Sequence, residues 1–185
     1  MLLSNHKTDC FSCRANGDCK FQDLCYEYGV SKTTYEGEKT DLPIDDSNPF
    51  FTYNPNLCIL CHRCVNTCHK IVGRGAIDTM ERGFDSAIGT PFHIDWADTN
   101  CESCGNCVQA CPTGALTMKR RKNYRKYQID KKVLTTCPHC ATGCQYYLLV
   151  KDNRIVDVEG ANGASNKGLL CVKGRSASFD FVHSG

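Results

Sequence analysis

The chain has 185 residues, 16 of them cysteine, and a formal net charge of +2. Without cysteine, apolar residues make up roughly a third of the chain, too few for a large oily core, so something besides side-chain burial must hold the fold together. The near-neutral charge gives no whole-chain reason for nucleic-acid binding, the longest apolar run (Tyr146 to Val150) is far short of the ~20 residues that span a bilayer, and the opening residues lack the basic-then-apolar pattern of a secretory signal.

Without an export signal, this cysteine density reads as metal binding rather than a disulfide framework. The cysteines form four groups at short spacings. Residues 1–30 hold Cys10, Cys13 and Cys19 at C-x2-C-x5-C, with His6 ahead of Cys10 and Cys25 trailing. Read as a four-ligand site, three thiolates leave one position open. Either His6 fills it, which would make the site one charge less negative, or Cys25 fills it and His6 is an ordinary surface histidine. Phe21 to Tyr28 predicts a short helix stopped by Gly29, on which Cys25 could instead be a small buried residue. Residues 31–49 are polar, turning acidic at Asp41, Asp45 and Asp46, and read as a linker.

Residues 50–118 contain the most specific signal. Cys58, Cys61, Cys64 and Cys68 read C-x2-C-x2-C-x3-C; Cys101, Cys104, Cys107 and Cys111 repeat that spacing, and Pro112 follows. This is the run that holds cubane [4Fe–4S] clusters: a tight loop wraps three thiolates around one cluster, and the fourth cysteine ligates the other. The expected sets are therefore Cys58, Cys61, Cys64 and Cys111 for one cluster, and Cys101, Cys104, Cys107 and Cys68 for the second. His69 stands where Pro would follow in the first run. Zinc sites usually pair two C-x2-C knuckles across a longer gap, which these runs do not do.

Residues 119–132 form a basic connector: Lys119, Arg120, Arg121, Lys122, Arg125, Lys126, Lys131 and Lys132 are opposed only by Asp130. It is read as a solvated linker that offsets cluster charge, with a docking patch for an acidic partner as the alternative. Residues 133–185 hold Cys137, Cys140, Cys144 and Cys171. A β-hairpin is predicted between the last two, with strands at Tyr146 to Val150 and Ile155 to Val158 around a turn at 151–154; it returns the chain so that Cys171 can close a site. On spacing alone this site suits either a cluster or zinc. His62, His69, His93, His139 and His183 are read as surface or supporting groups, and Trp96 as packing.

Leu3-Ser4-Asn5-His6 to Cys19, followed by Gln22-Asp23-Leu24 and Tyr28-Gly29, closely resembles the one-histidine, three-cysteine cluster segment of the complex I large iron–sulfur subunit. The same segment occurs in multimeric [FeFe]-hydrogenases and NAD-dependent formate dehydrogenase alpha subunits. Residues 50–118 resemble that family's double ferredoxin module, including Arg82-Gly83-Phe84-Asp85 and Asn100-Cys101 to Leu116. Residues 131–185 resemble the opening [4Fe–4S] domain of molybdopterin oxidoreductases, with Cys171-Val172-Lys173-Gly174-Arg175 as its tail. The resemblance implies that His6, Cys10, Cys13 and Cys19 are the ligands of the first cluster and that Cys25 is not one. It favours a cluster at Cys137, Cys140, Cys144 and Cys171. Fifteen cysteines and His6 then supply four [4Fe–4S] clusters.

The expected fold class is α+β: small cluster-stabilised iron–sulfur domains around a central 2[4Fe–4S] ferredoxin-like unit, largely unfolded without metal. In the resembling enzymes a [2Fe–2S] domain precedes the histidine-ligated segment and, in formate dehydrogenases, a pterin-binding body follows the last domain. The 185 residues hold neither, nor a glycine-rich dinucleotide fingerprint. The expectation is a cytoplasmic electron-transfer subunit without a catalytic site of its own, relaying electrons inside an anaerobe's complex with partners such as an [FeFe]-hydrogenase, a formate dehydrogenase or a flavin subunit using NAD(P). No nucleic acid or membrane partner is expected. The alternatives are an N-terminal fragment of a molybdenum or tungsten formate dehydrogenase catalytic subunit, and a free polyferredoxin.

Overall fold

The computed structural model describes residues 2–179 and Val182. Met1, His183 and the other ends of the first and last expected domains lie outside the described residues.

Short helices and three small antiparallel sheets build the molecule. After α1 (Leu2–Asn5), the first cysteine group leads into α2 (Lys20–Glu27), one residue displaced from the predicted helix. Cys19 caps it, accepting from the Gln22 N–H at 3.4 Å, and Gly29 ends the segment at φ +63°.

The central unit is bracketed by β1 (Phe51–Tyr53) and β4 (Leu116–Met118), which pair antiparallel with Phe51 opposite Met118. Between them run α3 (Arg63–Asn66), continued by a wide turn over Thr67–Val72, then β2 (Asp78–Met80) paired with β3 (Ala87–Gly89), then α4 (Asn106–Ala110). The insertion containing β2 and β3 seals the core. Trp96 is buried edge-on against Phe51 at 5.1 Å and stacked on Tyr53 at 5.5 Å.

The last unit is a three-stranded sheet of β5 (Lys131–Thr136), β6 (Gln145–Lys151) and β7 (Arg154–Gly160). The predicted hairpin is present as β6 and β7. Its turn places Asp152 and Asn153 at φ +49° and +57°, a left-handed pair that suits the twist of a two-residue hairpin. Strand β5 is absent from the sequence-based expectation. Its run Lys131-Lys132-Val133-Leu134-Thr135-Thr136 has no alternation of polar and apolar residues to signal a strand, and pairing with β6 creates it.

Two segments read as free linkers are docked. Asp45 bridges Tyr53 through reciprocal backbone hydrogen bonds of 2.9 Å, and the Asn56 side chain clasps Leu42 at both its N–H and C=O. The basic connector is likewise docked rather than solvated. Lys119 pairs with Asp46, Arg120 with Asp157, Arg121 and Lys126 with Asp18, and Lys126 and Lys132 with Glu159. These acids lie before and after the connector, so its charge ties the first segment, the residues leading into β1 and the last sheet together. Tyr124 donates to the same buried Asp157, and Arg120 lies over the Phe179 ring at 5.2 Å.

Candidate metal centres

The two ferredoxin-like loops have matching backbones. In the first, Leu60 and His62 take positive φ, and the Leu60 N–H points at the Cys58 Sγ at 3.4 Å. In the second, Ser103 and Gly105 take positive φ, and the Ser103 N–H points at the Cys101 Sγ at 3.4 Å. His62 and Gly105, the second left-handed residue of each loop, cap the helices that follow, α3 and α4. The C-x2-C spacing thus curls each loop so that the amide two residues on faces the first cysteine's sulfur.

Each run senses thiols of the other. Burial raises the Cys58 and Cys64 pKa values, that of Cys64 to about 12, with Cys111 among the charges adding to both shifts. Burial likewise raises Cys101 and Cys107, with Cys68 among the contributors to both and Cys64 ahead of it for Cys107. The Ala76 N–H points at the Cys68 Sγ at 3.3 Å. Helices α3 and α4 pack together, which brings the two runs side by side.

In the last unit Cys144 is raised by burial and then by Cys137, Cys140 and Cys171, so all three stand near it. Cys140 and Cys171 are exposed. Cys140 is lowered by hydrogen bonds from Thr142.

The first segment gathers Cys10, Cys13 and Cys19: burial raises Cys10 and Cys19, and the neighbouring thiols of the group add to both shifts. His6 is 7% exposed, its ring lies edge-on to Phe21 at 5.0 Å, and its Nδ1 is buried without a hydrogen-bond partner. Burial lowers its pKa, favouring the neutral imidazole that ligates metal. His6, Cys10, Cys19 and Cys25 line one cavity of about 400 Å³. Cys25 also adds to the Cys10 shift, so it stands beside the site rather than away from it.

All sixteen cysteines are free. Among the described residues no three His, Cys, Asp or Glu side chains converge on the position of a single ion. Thiols clustered closely enough to raise one another's pKa, backbone amides aimed at sulfur and an orphaned imidazole nitrogen suit a multinuclear iron–sulfur group. Such a group takes thiolates and neutral imidazole and is supported by N–H···S contacts.

The sets are also arranged in sequence through space. Cys19 touches the Pro112 carbonyl at 3.6 Å, and a Cβ on Gly114 would meet the Cys13 Sγ at 2.6 Å, so the first set abuts the residues just after Cys111. The second and third sets share α3 and α4. The third meets Arg175, whose Nε donates to the Cys104 carbonyl at 2.8 Å and which lies just beyond Cys171. Sequence reasoning singles out neither Asp18, Asp157 nor Arg175 as a functional residue; the Cys171-to-Arg175 tail is the only signal that points toward one of them.

Three families match successive parts of the chain. Residues 1–34 match the NADH-ubiquinone oxidoreductase-G iron-sulfur binding region, residues 48–117 the ferredoxin-like domain of NADH-quinone oxidoreductase subunit 3, and residues 130–183 the molybdopterin oxidoreductase Fe4S4 domain. The NADPH-Fe(3+) oxidoreductase subunit alpha of Geobacter sulfurreducens is 39% identical over 100% of this chain and 21% of its own length. An NADH-quinone oxidoreductase subunit of Rhizobium meliloti is 37% identical over 100% of this chain and 22% of its own. The NADP-reducing hydrogenase subunit HndD of Solidesulfovibrio fructosivorans is 34% identical over 63% of this chain and 20% of its own. This chain therefore spans about a fifth of the length of these curated relatives. A solved chain of an NAD+-reducing [NiFe]-hydrogenase in the H2-reduced state superposes with TM-score 0.60 and 30% identity, covering 64% of this chain and 51% of that one.

Proposed function

We propose that this chain, which matches in order an NADH-ubiquinone oxidoreductase-G iron-sulfur region, a ferredoxin-like domain and a molybdopterin oxidoreductase Fe4S4 domain, is an electron-transfer module relaying electrons through four [4Fe–4S] clusters. In this reading the clusters belong to a multisubunit oxidoreductase. The first is held by His6, Cys10, Cys13 and Cys19, the second by Cys58, Cys61, Cys64 and Cys111, the third by Cys101, Cys104, Cys107 and Cys68, and the fourth by Cys137, Cys140, Cys144 and Cys171. The observation that carries it is the contact between successive cysteine-bearing units, from Cys19 at Pro112 to Arg175 at Cys104.

A bound [4Fe–4S] group supplies one-electron redox chemistry. The chain's own residues hold it, orient it and set its surroundings. The amides of Leu60, Ala76 and Ser103 direct N–H groups at sulfur. The Trp96, Phe51 and Tyr53 stack backs Cys58, Cys64 and Cys111 with an apolar core, and the exposed Cys140 and Cys171 leave the last set open to a partner. Surfaces of this kind suit electron exchange with other subunits, and we assign a cytoplasmic complex with a hydrogenase, a formate dehydrogenase or a flavin subunit using NAD(P) as partners. The NADP-reducing hydrogenase subunit and the NAD+-reducing hydrogenase chain among its relatives support that choice.

The test is iron and acid-labile sulfide analysis of anaerobically purified protein, with co-purifying subunits identified. Roughly 16 of each per chain, at four per cluster, is expected. About four zinc without sulfide would overturn the reading.

A further inference from the structure

The two ferredoxin-like loops match in backbone, yet their surroundings differ at one place. His62 and Gly105 occupy corresponding positions, each left-handed and each capping a helix. The His62 side chain is half-buried and its Nδ1 meets the Thr79 hydroxyl at 3.1 Å. At Gly105 a Cβ would overlap the Arg175 Cδ and stand 2.9 Å from its Nε. Glycine is there because an arginine from the last unit fills the space.

Arg175 is 3% exposed. Its Nε donates to the Cys104 carbonyl at 2.8 Å, and its Nη2 donates to Asn106 Oδ1 at 3.0 Å and Gln109 Oε1 at 2.9 Å. Asn106 in turn exchanges hydrogen bonds with both backbone groups of Leu170, next to Cys171. Every direct partner of the guanidinium within the 104–109 segment is neutral. Asp157, the nearby acid, is already engaged by Arg120 and Tyr124. A guanidinium keeps its charge when buried, and Cys104 and Cys107 are among the negative groups it senses. Among the described residues no arginine reaches the carbonyl of Cys61, whose thiol is exposed.

We propose that Arg175 is a positioning residue that docks the last unit onto the ferredoxin-like unit and sets the reduction potential of the Cys101, Cys104, Cys107 and Cys68 site. The proposal rests on the cluster reading above. Each electron added to a cluster increases its negative charge. A buried cation beside its ligands stabilises the reduced form, and low local polarity strengthens that effect. Two sites built on the same spacing thereby acquire different potentials, with the one nearer Arg175 the more readily reduced.

The experiment is an EPR-monitored redox titration of the anaerobically purified full chain, wild type against R175M, R175K and Q109E, with iron measured on each sample. In R175M one cluster signal is expected to become harder to reduce by about tenfold in its equilibrium constant, ~59 mV for one electron, while the others hold. R175K restores most of that shift because it restores the charge. Q109E keeps Arg175 but sets a carboxylate against it, so it moves the same signal in the same direction and decides the matter if R175M fails to fold. Full iron with every potential unmoved in R175M and Q109E overturns the inference alone, as does an equal shift in R175M and R175K. A wild-type chain without its iron overturns the cluster reading and the inference together.

Discussion

Arg121 donates to the Asp18 carboxylate at 2.9 Å, and Lys126 reaches the same carboxylate at 2.9 Å. Asp18 directly precedes Cys19, so the basic connector grips the first metal-site segment. All three side chains are largely shielded, where charge-assisted hydrogen bonds persist better than at open surface. Asp18→Asn is expected to loosen residues 10–25 by about 1–3 kcal/mol. Faster amide hydrogen exchange confined to that segment is the readout.

His6 and Cys25 line the same cavity, but only the imidazole has a buried nitrogen without a partner. His6→Ala is expected to remove or alter one cluster signal and leave three. Cys25→Ala is expected to leave all four. The reverse pattern in EPR spectra and iron content would reassign the first site to Cys25.

Cys111→Ser should disturb the site of Cys58, Cys61 and Cys64 rather than that of the loop it follows, because its charge reaches Cys58 and Cys64. Cys68→Ser should do the converse. Loss of about four iron per variant, assigned by which EPR signal disappears, checks the crossing.

The buried thiols make the iron-free fold sensitive to alkali. The Cys64 pKa is raised from its usual 9.0 to about 12 by burial and then by Cys111 and Cys58. A group raised in the folded state stabilises the fold fully below its unfolded pKa, and that stability is lost as pH rises toward the folded value. Whatever native structure the chelated chain retains should therefore disappear between about pH 9 and 12. Loaded protein, whose thiols are already engaged as thiolates, should keep its far-UV circular dichroism over the same range.

Gly105 sits at φ +69°, and the Arg175 Cδ occupies the place where a Cβ would go. Gly105→Ala is expected to cost about 1–2 kcal/mol from the left-handed backbone alone, with displacement of Arg175 added. His62→Gly, at the corresponding position of the other loop, has no such clash and should be mild. Thermal melts of the two loaded variants separate these outcomes.

Much of this organisation is local and therefore legible in the sequence. The C-x2-C-x2-C-x3-C runs mark their loops because three thiols within a few residues can face one point only if the backbone curls there. Helix α2 is announced by its apolar positions and the glycine stop, and the β6–β7 hairpin by two apolar strands around a polar turn. Three features were decided only by tertiary structure. The docking of the connector, the strand β5 and the insertion of Arg175 beside Gly105 each join residues far apart in the chain. An ion pair between Arg121 and Asp18, or a guanidinium over a carbonyl of another unit, leaves no periodicity or spacing to read. The basic run looks the same whether water or buried carboxylates surround it. Its charges became structural because folding delivered Asp18, Asp46, Asp157 and Glu159 to it, and only packing could supply that proximity.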